Sequence, residues 1–361
     1  MDDSQQLREI RARIDALDEQ LQCLINERAE LARQTAQIKQ AVGLGENCFR
    51  PEREAEILRR VIARNRGPLS GQEMARLFRE VMSACLALET PLVIAYLGPE
   101  GTFTEAAALK HFGHSVKTRP LMAIDEVFRE VEAGTAYYGV VPVENSTEGA
   151  VTHTLDRFLV SPLQICGEVE LRIHHHLLSR NETITEVNRL YAHQQTLAQC
   201  REWLDAHLAG CERIPVSSNG EAARRAGDES GCAAIASDRA REIYGLRALA
   251  SNIEDEPGNT TRFLVIGSQA VVASGNDKTS LLVSGPNRPG LLYNLLCPLA
   301  EYGISMTRLE SRPSRRQLWE YVFFIDVEGH IDDSNLTTAL ATLKERASFL
   351  KLLGSYPRAV I

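Results

Sequence analysis

The feature that most constrains this chain is an apolar seam near its N-terminus. Its aliphatic residues recur at steps of three, four and seven, at Ile10, Ile14, Leu17, Leu21, Leu24, Leu31 and Ile38. This spacing predicts one long α-helix that packs along its length against other helices. Because no helix breaker occurs before Gly43, we predict a helix from about Ser4 to about Gln40, roughly 55 Å long.

The long helix requires a partner for its seam. Residues 1–90 contain only two other helical patterns, one through Leu58 and Ile62 and one over 71–89. Two short helices cannot cover a stripe of this length, so we expect it to pair with a second copy of the chain. The predicted assembly is a homodimer or a dimer of dimers.

Two seam positions are polar, Arg28 and Thr35. A buried arginine without an anionic partner is strongly destabilising, so Arg28 needs an anion. Lys39 lies about three turns further on and faces nearly the same way, whereas Arg11 is rotated from both by about 100°. Two interpretations stay open. Arg28 fixes the register of paired helices, or it binds a ligand together with Lys39 and with Arg11 of another copy.

Composition is that of an ordinary globular protein, with 361 residues, 44% of them hydrophobic, and a formal net charge of −8. The negative charge argues against nucleic-acid binding, and no apolar run is long enough for a membrane span. The start MDDSQQLREI is not typical of a signal peptide. The 8 cysteines form no C-x-x-C pair, which favours a reduced, cytoplasmic setting without a metal site.

The chain divides into three regions with different predicted secondary structure. Residues 1–90 are helical only. Residues 91–270 alternate short β-branched runs with helical patterns, as in an α/β domain. After the polar segment SGNDK, residues 278–361 follow a βαββαβ order, which is a ferredoxin-like α+β pattern.

Polar loops follow the strands of the central region, where open α/β sheets bind ligands. In YLGPEGTFTEAA a glycine-rich turn leads into a helix start, whose free N–H groups suit a carboxylate. The segments VENSTEG and GNTTRF carry Asn145, Thr261 and Arg262, with the last two expected just before a strand, and Gln199 follows YAHQQ. Residues 174–176 are three histidines on one strand; they alternate faces, so we do not expect them to share a metal ion.

The N-terminal region resembles the all-helical chorismate mutase family in LREIRARIDALDEQLQCLINERAELARQTAQIK and FRPEREAEIL. The resemblance implies an intertwined dimer and the pericyclic conversion of chorismate to prephenate, which needs no nucleophile or base. It implies that Arg28, with Arg11 of the partner copy, clamps the two carboxylates. It also implies that Lys39 stabilises charge on the ether oxygen, and that Arg53 and Glu54 bind the hydroxyl group.

Three positions depart from that family. Arg50 stands where some members have an aspartate, and Cys85 where a serine is common. Glu89 stands where some members have a glutamine that donates to the ether oxygen. Because an ionised carboxylate cannot donate a hydrogen bond, we expect Glu89 to assist catalysis only when protonated. Mutase activity should therefore rise as the pH falls.

The central region resembles prephenate dehydratases from about residue 92 to about 268, through the motifs GPEGTF, VPVENS and TRF. The resemblance implies a two-lobed fold like that of periplasmic binding proteins, with the site in the cleft. The implied reaction removes water and carbon dioxide from prephenate to give phenylpyruvate, without a metal or cofactor. Thr261 is the implied donor to the departing hydroxyl, and Asn145, Gln199 and Arg262 are the implied substrate-binding residues.

The C-terminal region resembles an ACT domain in TSLLVSGPNRPGLLYNLLCPLAEYGISMTRLESRP. In dehydratases these motifs bind phenylalanine at a subunit interface, which implies feedback inhibition by L-phenylalanine. The implied effector-binding residues are Gly290, Leu291, Leu292, Glu310, Ser311 and Arg312.

Together the three resemblances point to the family of bifunctional chorismate mutase–prephenate dehydratases. Two alternatives stay open at this point. One is a monofunctional prephenate dehydratase whose mutase-like domain only dimerises. The other is an amino-acid sensor that keeps the binding folds without turnover.

Overall fold

The computed structural model describes residues 3–41, 49–313 and 321–361, so Gly43, the first helix breaker after the seam, lies outside the described residues. The helices are α1 Asp3–Ala41, α2 Pro51–Arg64, α3 Gly71–Glu89, α4 Phe103–Phe112, α5 Ile124–Glu132, α6 Thr152–Phe158, α7 Gln194–Gln199, α8 Arg201–His207, α9 Asn219–Asp228, α10 Asp238–Tyr244, α11 Leu291–Glu301 and α12 Ser334–Arg346. Within those ranges no helix is both long enough and apolar enough to cross a membrane.

The strands form three sheets. They are β1 Val93–Leu97, β2 Lys117–Leu121, β3 Tyr138–Asn145, β4 Gly149–Ala150, β5 Gln164–Arg172, β6 His176–Ser179, β7 Arg189–His193, β8 Glu212–Val216, β9 Cys232–Ala236, β10 Arg247–Ala250, β11 Thr260–Gly267, β12 Asp277–Ser284, β13 Met306–Pro313, β14 Tyr321–Glu328 and β15 Phe349–Pro357.

Helix α1 extends away from the rest of the chain. Every position from residue 4 to residue 27 is exposed, and the seam side chains are exposed by 50% to 66%. Only the second half of α1 packs on α3, where Ala36 is buried. The seam is therefore open in a single chain, over a rod of about 36 Å.

Helices α2 and α3 form a hairpin around Leu58, Ala75 and Met82. The Ser70 side chain caps α3 by accepting a hydrogen bond from the Glu73 amide at 3.1 Å. Val360 from the end of the third region packs on the same cluster. The hairpin is thus held against the body of the molecule, whereas the first half of α1 is not.

The central region has the α/β structure that its alternating pattern predicts, and it forms the two lobes that the resemblance to prephenate dehydratases implies. The first lobe has the strand order β2-β1-β3-β11-β5, with β4 paired to β3, and the second has the order β10-β6-β9-β7-β8. The chain passes between the lobes twice, from β5 to β6 and from β10 to β11. Two crossings of this kind place a cleft between the lobes.

The third region has the predicted βαββαβ order, with the sheet order β13-β14-β12-β15. Strand β12 begins at Asp277, inside the segment predicted as a linker, because the Asp277 carboxylate accepts from the Ser274 amide at 2.8 Å and fixes the turn. Every residue of β12 is buried. Helices cover one face of this sheet, and the first lobe covers the other.

The third sheet and the first lobe share one hydrophobic core. Phe324 and Leu353 pack in the same cluster as Phe158 and Ile165. Gly354 sits so close that a Cβ there would lie 2.3 Å from the Ile165 carbonyl oxygen, so only glycine fits. The first lobe and the third sheet therefore form one packed body next to the cleft.

Candidate active sites

A cleft of about 510 Å³ lies between the two lobes of the central region. Its polar lining comes from both lobes and includes Thr102, Thr104, Asn145, Glu148, His175, His193, Gln195, Thr196, Gln199, Ser218, Asn219, Asn259 and Thr261. Among the described residues that line the cleft, none is a lysine or an arginine. A negatively charged ligand must therefore be held there by neutral donors.

Thr261 and Asn145 form the centre of the first-lobe wall. They face each other in register on β11 and β3, and the Asn145 side-chain amide donates to the Thr261 hydroxyl oxygen at 2.8 Å. The same amide donates to the Asn259 side chain at 2.7 Å. Its carbonyl oxygen accepts from the backbone amides of Thr147 and Glu148 at 3.0 and 3.1 Å. All four hydrogen bonds of the Asn145 side chain are made to other groups of the protein. Asn145 is therefore fixed in place and can hold the Thr261 hydroxyl in position.

The Thr261 hydroxyl keeps its own hydrogen available. Its oxygen accepts from Asn145, and no side chain or backbone group within the described ranges accepts in return. Thr261 is only 9% exposed, so a ligand in the cleft is the natural acceptor for this hydrogen. The Thr261 hydroxyl is therefore a buried donor whose orientation is set by the Asn145 side-chain amide.

Gln199 lies on the second-lobe wall, as predicted from its motif. It accepts from the His175 Nε2 at 2.9 Å and donates to the Glu148 carboxylate at 3.1 Å. Burial lowers the pKa of His175, so the imidazole is neutral and donates from Nε2. Gln195 also donates to Glu148, at 2.6 Å. Glu148 therefore bridges the two lobes, a role that the ENSTEG motif alone did not predict.

Two helix N-termini border the cleft from opposite lobes. Thr102 caps α4 and Ser218 caps α9, each by accepting from the amide three residues on. The first backbone amides of both helices have no partner in the parts of the chain that the structure describes, and such amides attract anions. The cleft thus offers two separate places for a carboxylate.

Arg262 does not line the cleft. Strand β11 starts at Thr260, three residues earlier than the sequence pattern indicated, so Thr261 and Arg262 point to opposite faces. The Arg262 guanidinium binds Glu168 at 2.9 Å and Asp326 at 2.5 Å on the far side of the sheet. The predicted substrate contact of Arg262 is therefore not supported by its position.

The three consecutive histidines have separate partners, but they do not lie on one strand as predicted. Only His176 belongs to a strand, because His174 and His175 lie in the connection between β5 and β6. His174 contacts Glu254 at 2.9 Å, and His176 contacts Asp238 at 3.3 Å. Of the three, His175 is the one that lines the cleft.

Lys39 and Glu89 are brought together near the end of α1. The Lys39 ammonium lies 3.6 Å from a Glu89 carboxylate oxygen, and the Glu89 side chain is 10% exposed. Cys85 is buried one turn earlier on α3. These three side chains define a candidate site between α1 and α3.

The predicted arginine clamp is not assembled within one chain. Arg28 is half-buried and Arg11 is exposed, and no carboxylate of the described residues pairs with either. Along one straight helix Arg28 lies about 16 Å from Lys39, whereas Arg11 lies about 42 Å away. Arg11 cannot reach the Lys39 of its own chain.

Arg53 and Glu54 point in different directions. Arg53 is exposed and pairs with Glu56 at 2.6 Å. Glu54 is buried and accepts from the Arg79 Nε at 3.0 Å. Burial raises the pKa of Glu54, although Arg79 opposes the shift. The two side chains therefore do not form the predicted pair in this structure, and Arg50 pairs with Glu52 at 3.7 Å.

The predicted effector residues lie on two neighbouring elements of the third region. Gly290 precedes α11 with a φ of 82°, a conformation that favours glycine, and Leu292 is exposed on that helix. Ser311 is exposed on edge strand β13, between Glu310 and Arg312. Arg312 itself reaches the first lobe, where it donates to the Thr152 hydroxyl at 2.6 Å.

A helical region with an open seam, a two-lobed α/β region with a polar cleft and a ferredoxin-like sheet together give a multidomain architecture. Three family models match the chain: chorismate mutase type II over residues 10–90, prephenate dehydratase over residues 94–271 and the ACT domain over residues 279–345.

Known relatives share the whole arrangement. The bifunctional chorismate mutase/prephenate dehydratase of Stutzerimonas stutzeri is 57% identical over 100% of both chains, and that of Pseudomonas aeruginosa is 56% identical over 100% of both. The crystal structure of a prephenate dehydratase from Arthrobacter aurescens in complex with L-Phe covers 74% of this chain and 90% of its own, with 35% identity and a TM-score of 0.69. The chain belongs to the bifunctional chorismate mutase/prephenate dehydratase family, and it is an enzyme with both activities.

Proposed function

We propose that the cleft converts prephenate to phenylpyruvate, with Thr261 as the donor to the departing hydroxyl. The observation that carries this proposal is the free Thr261 hydrogen, aimed by the fully bonded Asn145. As the carboxylate leaves as carbon dioxide, its bonding pair enters the ring and the carbon–oxygen bond breaks. A threonine is a poor acid, so its hydrogen bond stabilises the leaving oxygen, which departs as water after protonation.

The two carboxylates of prephenate fit the two helix N-termini at the cleft. Thr102 and Ser218 mark these ends, and their amides supply donors without a buried cationic side chain. Gln199 and its neighbour Gln195 hold the second lobe against Glu148. In this proposal the bridge keeps water away from the ring while the reaction proceeds.

We propose a mutase site at the Lys39–Glu89 contact, completed by Arg28 of the same chain and Arg11 of a second chain. The support is the separation of about 42 Å between Arg11 and Lys39 on one straight helix, together with the open seam. Two cations then hold chorismate in its reactive shape, and Lys39 stabilises charge on the ether oxygen. Cys85 lies beside this site.

The hydroxyl-binding roles of Arg53 and Glu54 stay a proposal. For Glu54 to reach chorismate it must exchange its contact with Arg79, whereas exposed Arg53 is free to turn. The contact with Arg79 is therefore one that Glu54 must give up when chorismate binds. The assembly we propose is a homodimer or a dimer of dimers through the α1 seam, in the cytoplasm.

We propose that L-phenylalanine binds the third region and inhibits the enzyme. The proposed contacts are Gly290, Leu291, Leu292, Glu310, Ser311 and Arg312. The support is that Gly290 turns the chain into α11, that β13 lies at the edge of the sheet, and that a related prephenate dehydratase was crystallised in complex with L-Phe. Inhibition then requires that the effector bind one state of the enzyme more tightly than another.

One assay tests these functions together. The full-length protein is supplied with chorismate, and phenylpyruvate is measured with and without phenylalanine. Bifunctionality predicts phenylpyruvate from chorismate, and less of it with phenylalanine. Phenylpyruvate from prephenate but not from chorismate means a dimerising mutase-like region. No turnover from either substrate means a sensor.

A further inference from the structure

A buried polar cluster lies directly behind the dehydratase cleft. At its centre is Arg262, the strand neighbour of Thr261. Its Nε donates to Glu168 of the first lobe at 2.9 Å. Its two terminal nitrogens donate to Asp326 at 2.5 Å and to the Tyr356 hydroxyl at 3.0 Å, both on the third sheet. Each nitrogen of the guanidinium has an acceptor, two of them from the ACT region.

The third sheet holds its side of the cluster rigidly. Ser280 donates to Asp326 at 2.6 Å and contacts the Tyr356 hydroxyl at 2.8 Å. Lys278 donates to Glu168 at 2.9 Å. The side chain of Arg262 is 11% exposed and that of Asp326 is 8% exposed. A buried and fully paired cluster of this kind has one well-defined geometry.

The backbone beside this cluster is irregular. Between Arg262 and Phe263 the pairing of β11 with β3 shifts register. A bulge weakens the control that backbone hydrogen bonds exert on a strand, and it changes the aim of nearby side chains. The pairing of β11 with β5 on its other side is regular at Thr261 and Arg262. The side-chain contacts of Arg262 therefore reinforce the position of β11 where its pairing with β3 is interrupted.

A second contact of the same kind lies on the neighbouring strand. Glu144 precedes Asn145 on β3 and pairs with Arg308 of β13 at 3.0 Å. Glu144 and Arg262 face each other in register, as Asn145 and Thr261 do. Both residues of the proposed catalytic pair thus have a strand neighbour that is held by the third sheet.

We propose that Arg262 is a positioning residue of the dehydratase reaction, through which Asp326 and Tyr356 of the ACT sheet fix Thr261 in the cleft. This inference rests on the proposed role of Thr261. It assigns to the ACT sheet a part in the reaction itself, in addition to any effector binding. A movement of β14 or β15 therefore changes the position of Thr261 through the Arg262 side chain.

The test uses the full-length protein with prephenate and chorismate as separate substrates. We expect Asp326→Asn and Tyr356→Phe each to lower dehydratase kcat by about 10-fold, because small misplacement of a catalytic group is costly. KM for prephenate should change by less than about two-fold, since Thr261 acts mainly on the leaving group. Mutase turnover, which uses distant residues, should be unchanged and reports that the variants fold.

Lys351→Met is the matched control. Lys351 also joins the third sheet to the first lobe, by donating to the carbonyl oxygens of Phe158 and Ser161 at 2.8 and 2.6 Å, away from the cleft strands. We expect its dehydratase kcat to stay within about two-fold of wild type. If Asp326→Asn and Tyr356→Phe behave like Lys351→Met, the inference is wrong.

A double-mutant cycle tests whether Asp326 acts through Arg262. Once Arg262→Gln has removed the guanidinium, adding Asp326→Asn should lower kcat no further, and Arg262→Lys should retain more kcat than Arg262→Gln. Additive effects would overturn the proposal. Thr261→Val distinguishes a failure of the proposed function from a failure of this inference. If Thr261→Val keeps full dehydratase turnover, the proposed role of Thr261 is wrong. If Thr261→Val is inactive while Asp326→Asn has normal turnover, only the positioning role of Arg262 is wrong.

Discussion

The dehydratase cleft and the mutase helices differ in how they bring their site residues together. The cleft assembles Thr261, Asn145 and Gln199 within one chain, on strands and helices whose contacts are already made. The helical site brings together only Lys39, Glu89 and Cys85, and leaves Arg11 exposed at a distance of about 42 Å. A packed body builds the first site, whereas the second depends on an open helix seam.

This difference indicates which substitutions should reduce each of the two activities. Strand pairing fixes the cleft by many backbone hydrogen bonds, so single side chains there change chemistry more than assembly. The seam of α1 has no such support within its own chain, so a single charge there changes assembly and thereby one activity. Substitutions should separate the two activities cleanly.

The largest effect is expected for Thr261→Val, which removes the free hydroxyl from the cleft. Dehydratase kcat should fall by about 100-fold or more, while mutase turnover stays at the wild-type level. Thr260→Val is the control, because Thr260 lies outside the cleft and donates to the Gly258 carbonyl oxygen. Steady-state rates with prephenate measure both. Full dehydratase turnover in Thr261→Val would reject the assignment.

A charge in the seam should have the next largest effect. Leu24 is 61% exposed in the single chain, so Leu24→Glu leaves the fold intact but buries a carboxylate in the proposed dimer. Mutase turnover should fall by roughly 30-fold at low protein concentration, with dehydratase turnover nearly unchanged. Asn26→Glu adds the same charge on the other side of α1 and should be silent. Equal mutase rates in the two variants would contradict a dimeric site.

A neutral donor beside Lys39 should have a moderate effect on the mutase. The Lys39 ammonium lies 3.6 Å from the Glu89 carboxylate, which competes with the substrate for Lys39. Glu89→Gln removes this competition and supplies an amide donor to the ether oxygen, so turnover of chorismate should rise by about 10-fold. An unchanged or lower chorismate turnover in Glu89→Gln would exclude this role.

The last of these predictions concerns stability, and not turnover, where the helical hairpin meets the first lobe. Burial lowers the pKa of His111 from 6.5 to about 3, with a further contribution from Arg79. Below about pH 6.5 the unfolded chain binds a proton at this histidine that the folded chain does not bind. The free energy of unfolding therefore falls by up to about 1.4 kcal/mol per pH unit down to about pH 3. His111→Leu should lower the steepness of the fall in Tm with acid.

The control for that measurement is His114→Leu, because His114 is an exposed histidine near the same helix end. Its Tm should follow the wild-type curve between about pH 7 and about pH 4. If His111→Leu and wild type lose Tm in parallel, the buried neutral histidine does not contribute to acid sensitivity.

Most of the fold was predictable because its signals are periodic. The heptad spacing predicted α1 to within one residue of the described bounds, Asp3–Ala41, and the predicted helix over 71–89 matches α3, Gly71–Glu89. The alternation of strands and helices predicted the α/β class of the central region and the βαββαβ order, whereas the two lobes were implied by the family resemblance. Local pattern and long-range packing agree in these elements, so periodicity was sufficient.

The site was less predictable because its contacts join distant segments. Thr261 and Arg262 were expected just before the strand, and β11 starts three residues earlier, so their side chains point to opposite faces. Glu148 bridges the lobes through Gln195, which lies 47 positions away. Glu54 contacts Arg79 because α2 packs on α3. Residue types indicated which chemistry to look for, but the pairing of side chains depends on tertiary geometry that one sequence does not display.

Subunit mixing tests most directly the claim that one site is complete in a chain and the other is shared. Mixed dimers of an Arg11→Ala chain and a Lys39→Ala chain contain one intact mutase site, so they should regain about half of the wild-type mutase turnover. Mixed dimers of Arg28→Ala and Lys39→Ala should stay inactive, because both residues serve the site of their own chain. Dehydratase turnover should be normal in every case. Mutase recovery in the second mixture, or none in the first, would contradict the account.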